Sequence, residues 1–180
     1  MTIKNYAMKQ HGLALWGRST GREIRANVEE ALEKLKPGEV LGIDLDNIEV
    51  MDFSFASEVF GKLISRLPAE YRDRYLVLLN VDDYVEENLN AALNSLELAA
   101  LILRDGDWKV IGKFSEAHVA TLKALAKTKT ATAPQIAEAL NISLTACNNR
   151  LRKLSDLVLI RKERFSSPTG GEQYQYAWLV

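Results

Sequence analysis

Ala133-Pro134-Gln135-Ile136-Ala137-Glu138-Ala139-Leu140-Asn141-Ile142-Ser143, running on into residues 144–154, is the stretch that decides the fold. Thr132 brings a hydroxyl suited to cap a helix, and Pro134 falls in the first turn, where a missing N–H loses no hydrogen bond. Ile136, Ala137 and Leu140 recur at helical spacing, and Asn141 tolerates the left-handed conformation that closes a short helix. Ser143 then caps a second helix, with Leu144, Cys147, Leu151 and Leu154 as its buried stripe. Two helices joined by an Asn-Ile-Ser turn make a helix-turn-helix, whose second helix fits the major groove of double-stranded DNA. Thr145, Asn148, Asn149 and Arg152 lie between the buried positions, so the exposed face offers a hydroxyl, amides and a guanidinium to base edges.

The flanking sequence completes the module. Residues 157–165 and 173–179 are rich in branched and aromatic side chains, and Ser166-Ser167-Pro168-Thr169-Gly170-Gly171-Glu172 between them has the composition of a hairpin turn. This hairpin is expected to form a wing whose first strand sets Arg161, Lys162 and Arg164 where cations reach phosphates. Residues 115–127, with Val119, Leu122 and Leu125 inward, supply a packing helix. From Phe114 to Val180 the chain resembles the winged helices of MarR- and ArsR-type bacterial regulators. The resemblance implies a DNA-binding α+β domain; the alternative is a winged helix kept for protein contact alone.

Charge separates the two parts of the chain. Residues 114–180 hold nine Lys or Arg against five Asp or Glu, net +4, whereas residues 1–113 hold fourteen against nineteen, net −5. A basic segment on an acidic partner fits a protein in which one domain meets phosphate. Because +4 is modest, a homodimer reading two half-sites is expected. With 47% hydrophobic and 26% charged residues in 180, the chain has room for two small globular domains. The polar start Met1-Thr2-Ile3-Lys4-Asn5-Tyr6 and the lack of an apolar run of about 20 residues predict a cytoplasmic protein without a membrane span. Cys147 stands alone on a buried stripe, and His11 and His118 lack ligand spacing, so no disulfide, metal or cofactor is expected.

Residues 1–112 alternate strand and helix patterns, which predicts a mixed or parallel sheet covered by helices, with the domain junction at Gly112-Lys113 and the second domain over 113–180. Strands are expected near residues 3–8, 12–16, 40–45, 75–81 and 108–111, and helices over 20–35, 54–67 and 83–103. The last of these helices carries more apolar surface than one sheet face requires, which offers a dimer contact. Met51-Asp52-Phe53-Ser54-Phe55-Ala56-Ser57-Glu58-Val59-Phe60-Gly61 follows a buried strand and opens a helix, as does the Asp-Ser-Ser-Gly segment of STAS domains, the fold of anti-sigma factor antagonists. Phe53 and Phe55 replace the first serine and the glycine of that segment. With Gly17-Arg18-Ser19-Thr20-Gly21-Arg22-Glu23-Ile24-Arg25, residues 10–112 look closer to an uncharacterised STAS-like family than to the antagonists proper. The resemblance implies an α/β STAS-like fold, a regulatory role, a regulatory protein or kinase partner, and Ser54 as the phosphorylated or switch residue.

Two further features are open to two readings each. Ser54 at a helix start can cap the helix or accept a phosphate. Arg18, Ser19, Thr20 and Arg22 can converge on an anion, or the helix start can be solvated, with Arg22 and Arg25 paired to Glu29. Asp44, Asp46, Glu49, Asp52 and Glu58 cluster near a strand end where α/β sheets put their sites, but no histidine or nucleophile accompanies them, and no enzyme is expected. The whole reads as a prokaryotic transcriptional regulator. The alternative is a protein-interaction adaptor of the antagonist type, whose winged helix mediates assembly.

Overall fold

In chain order the first part of the protein forms β1 (Ile3–Ala7), a 3-10 turn (Met8–His11), β2 (Ala14–Leu15), α1 (Arg18–Glu33), β3 (Val40–Asp44), β4 (Val50–Met51), α2 (Phe53–Ala56), a π-helical turn (Ser57–Gly61), α3 (Lys62–Glu70), β5 (Tyr75–Leu79), α4 (Asp83–Ser95), β6 (Ala99–Arg104) and β7 (Asp107–Gly112). The computed structural model describes residues 3–166 and 172–180. Five strands pair in the order β1-β3-β5-β6-β7. The first four run parallel, Val40 opposite Tyr75 and Leu78 opposite Ile102, and β7 returns antiparallel to β6. Asp105 and Gly106 both take positive φ, the backbone of a tight two-residue hairpin turn. The inner strands β3 and β5 are buried from their first residue to their fourth, as parallel strands covered on both faces must be. A mixed sheet with helices is therefore the architecture of this part.

One expected element is replaced by two. The helix predicted over residues 83–103 ends at Ser95, and residues 99–104 form β6 beside β5. Glu97 takes φ +57 and turns the chain, so residues 99–102 of the apolar run that was to offer a dimer contact are buried in a sheet strand, while Leu96 stays exposed. Gly112 also differs from its expected role as a linker. Its amide donates to Asn90 Oδ1 at 2.8 Å, the Lys113 amide donates to the Leu98 carbonyl at 2.7 Å, and the two compact units are Met1–Phe114 and Ser115–Val180.

The second unit comprises α5 (Glu116–Thr128), β8 (Thr130–Thr132), α6 (Ala133–Leu140), α7 (Leu144–Asp156), β9 (Arg161–Ser166) and β10 (Glu172–Ala177). The local chemistry accounts for the helix ends. Ser115 and His118 form a capping box at α5, the Gln135 side chain accepts from the Thr132 amide at 2.8 Å, and Asn141 closes α6 in the left-handed region. Ser143 Oγ accepts from the Ala146 amide at 3.2 Å and starts α7. Leu122, Leu125, Ile136, Cys147, Leu151 and Leu154 make the core beneath a sheet ordered β8-β10-β9. Strand β8 is an addition to the expected pattern, and Val119 is half-buried instead of fully inward. Residues 167–171 of the expected hairpin link lie outside the described residues.

Candidate nucleic-acid interface

Helix α7 has two opposite faces. Cys147, Leu151 and Leu154 are fully buried, and the Cys147 thiol donates to the Ala133 carbonyl at 3.3 Å, locking α7 onto the start of α6. Thr145, Asn148, Asn149 and Arg152 are all exposed. Their spacing of three, four and seven places them on one stripe of the helix, about 10 Å long at 1.5 Å per residue. Leu144, expected on the buried stripe, is exposed beside Thr145 because it occupies the first turn, before the helix reaches the core. The basic character continues around the helix. Burial depresses the pKa of His118, and the nearby charges of Lys153 and Arg150 lower it further.

The hairpin sorts its three cations onto two faces. Arg164 lies opposite Tyr174 and Lys162 opposite Tyr176, so all four share one face, while Arg161 belongs to the same strand with the opposite pleat only by its odd position. Lys162 Nζ stands 4.0 Å from the Tyr174 ring centroid and the Arg164 guanidinium carbon 5.7 Å from it. Tyr176 is buried, and its phenol pKa is raised by burial and by the nearby Cys147 and Tyr174. Arg161 instead donates to the Leu179 carbonyl at 3.3 Å, holding the C-terminal residues against β9. The structure thus gathers Lys162 and Arg164 around Tyr174 on the hairpin, and sets the polar stripe on the exposed side of α7. Tyr174, which sequence reasoning passed over, is the aromatic platform between the two cations, and its alternation with Tyr176 is the signal that could have found it.

In the first unit the expected features separate. Asp52, not Ser54, caps α2: its carboxylate accepts from the Phe55 amide at 2.7 Å and from the Gly17 amide at 3.1 and 3.2 Å. Ser54 sits half-buried in the first turn. The Gly17 amide at the α1 start is therefore engaged by an internal carboxylate, while Arg18, Ser19, Thr20 and Arg22 stay exposed around it. Arg25 pairs with Glu29 at 2.6 Å and with buried Glu58 at 3.4 Å, and Glu58 accepts Lys62 Nζ at 2.6 Å. Burial pushes the Glu58 carboxyl up, but the Lys62 hydrogen bond and the charges of Lys62, Arg25 and Arg22 outweigh it and hold the group below its usual value. Asp44 is likewise raised by burial, but hydrogen bonds from Asn80, the Asp46 amide and Asn5, with the Lys9 charge, leave its pKa lowered. Asp46 and Glu49 line an open cleft of about 790 Å³ at the carboxyl ends of the strands, with Asn80, Asp82, Arg104 and Asp105. Among the described residues no group of three or more His, Cys, Asp or Glu is placed to hold a metal ion, and no helix is long and apolar enough to cross a membrane.

Comparison with protein families agrees with this division. Residues 20–86 match the family described as a STAS-like domain of unknown function (DUF4325), and residues 115–157 match the family described as winged helix-turn-helix DNA-binding. A search of curated proteins finds no match. The chain joins a STAS-like α/β domain to a winged helix-turn-helix domain, and the latter points to DNA as a partner.

Proposed function

We propose that the protein is a cytoplasmic, prokaryotic DNA-binding transcriptional regulator, in which the STAS-like domain receives a signal or a protein partner and the winged helix binds operator DNA. One observation carries the reading: α7 buries Cys147, Leu151 and Leu154 while exposing Thr145, Asn148, Asn149 and Arg152 as a single polar stripe. Asn amides match adenine edges and guanidinium matches guanine edges, so the stripe carries base-reading chemistry, and Lys162 and Arg164 of the wing supply phosphate contacts. A homodimer reading two half-sites fits the modest charge of one copy. The reading includes no catalytic step and no cofactor.

Coupling between the domains requires a ligand or modification that interacts differently with two states of the protein. Ser54, half-buried near the positive end of α2, is the residue at which an added phosphate would alter local charge most directly. Genome-wide selection of DNA by the purified full-length chain tests the function, with an Asn149→Ala/Arg152→Ala variant alongside. A palindromic motif that the variant loses is the expected result. Sequence-blind binding, or none, would transfer support to the adaptor alternative and direct the search to protein partners.

A further inference from the structure

Four of the eight exposed large apolar side chains among the described residues gather at one place in the first unit: Leu13, Trp16, Val50 and Phe53, 43%, 61%, 44% and 40% exposed. Backbone bonds make them neighbours. The Leu13 carbonyl accepts from the Glu49 and Val50 amides, Ala14 pairs with Val50, and Gly17 is tied to Asp52, which sets Trp16 beside Phe53. Strands β2 and β4 form a sheet of their own with no third strand, so its outer edges are unpaired among the described residues. Single exposed apolar side chains are ordinary, whereas a contiguous group on an open sheet edge marks an interaction surface.

The charges at the two ends of this small parallel sheet are opposite. Arg18 and Arg22, both exposed and in no ion pair among the described residues, stand at the end where β2 runs into α1. Glu49 stands exposed at the end where β4 begins, beside Leu13 on the rim of a cleft that also holds Asp82, Asp105 and Asp46, the last paired with Lys9 at 3.5 Å. Arg104, the one cation lining that cleft among the described residues, is committed to Asp83 and the Val81 carbonyl. A two-fold axis across the strands runs one copy antiparallel to the other, which lays the basic end of each against the acidic end of its partner. Such a surface is self-complementary, as a closed dimer interface has to be. We propose that the β2–β4 patch is the homodimer interface, with Trp16 and Phe53 at its apolar centre and Arg18 and Arg22 facing the partner copy's Glu49 end. The inference needs no DNA: it rests on the first unit alone.

Sedimentation of the full-length chain over a concentration series, without DNA, tests it. The wild type is expected to dimerise, and Trp16→Glu/Phe53→Glu to raise the dissociation constant at least about thirtyfold. Arg18→Glu/Arg22→Glu and Glu49→Arg are each expected to weaken the dimer, and their combination to recover most of the loss, because reversing both ends restores complementarity. These charge changes lie on exposed side chains, so they carry the test if the aromatic variant fails to fold. A wild type that stays monomeric at every concentration, or a dimer indifferent to all of these changes, overturns the proposal. A monomer that still selects operator DNA would sink this interface and leave the DNA reading standing, while a dimer with the expected sensitivities that selects no DNA would do the reverse.

Discussion

Glu58 shows how a single side chain ties two helices together. It is 5% exposed, lies in the π-helical turn, and Gly21 of α1 comes so close that a Cβ there would meet Glu58 Cβ and Cγ at 3.2 Å. Because its pKa is lower folded than unfolded, its contribution is complete above the ordinary value of 4.5 and is lost as pH falls through the folded value. Thermal unfolding followed from pH 7 to pH 3 should therefore show a decline starting near 4.5 that Glu58→Gln flattens, with the variant less stable at pH 7 by about 3 kcal/mol, since Arg25 loses a buried partner. Gly112 makes a different demand. Its φ of +94 and a Cβ position 2.2 Å from the Leu98 carbonyl oxygen leave no room for a side chain, so Gly112→Ala should cost about 3–5 kcal/mol by denaturant titration. A loss below about 1 kcal/mol would mean the β7 end relaxes freely. The same scale explains why Ser54 drew attention from the sequence. Asp52 and Ser54 both lie at the start of an apolar helix, and only the Asp52 contact with the Phe55 amide decides which of them caps it.

At the scale of elements, the winged unit was the more legible part, because four of its helix ends are written in local chemistry: Ser115, Thr132, Asn141 and Ser143 act within a few residues of themselves. Replacing Lys162 with Ala should reduce the salt dependence of DNA affinity by about one unit of slope without changing the preferred sequence, whereas Arg152→Ala should cost about 1–3 kcal/mol and relax one base position. Tyr174→Phe should behave as wild type and Tyr174→Ala should lose affinity, since the ring and not the hydroxyl holds the cations; equal loss in both variants would assign the effect to the hydroxyl. The first unit was less legible where tertiary pairing decides. Residues 96–103 are Leu-Glu-Leu-Ala-Ala-Leu-Ile-Leu, free of Gly and Pro, and an apolar run of that length suits a buried strand or a helix equally. What makes it β6 is the open edge of β5 and a left-handed turn at Glu97, and neither has a local sequence signature. The three-residue β8 is hidden for the same reason: Thr130-Ala131-Thr132 becomes a strand only against β10.

Across the whole molecule the division of charge has a consequence that no single contact carries. Residues 114–180 hold net +4 and residues 1–113 net −5, so any attraction of the winged helix to DNA phosphates is opposed in the full chain by the charge of the domain it is joined to. Screening sets the range of that opposition, about 30 Å at 0.01 M salt and about 10 Å at 0.1 M. A fragment of residues 114–180, whose unit has its own core around Leu125, Cys147 and Leu151, should therefore bind random-sequence DNA more tightly than the full chain at low salt, with the gap closing as salt rises. For a two-half-site operator the order should reverse, because the fragment lacks the β2–β4 surface that would hold two copies together. Fluorescence anisotropy with random and selected duplexes over a salt series separates these terms. A fragment that equals the full chain on both duplexes, and shows the same response to effectors, would leave the STAS-like domain with no part in setting DNA affinity, and the acidic domain would then have to act on a protein partner instead.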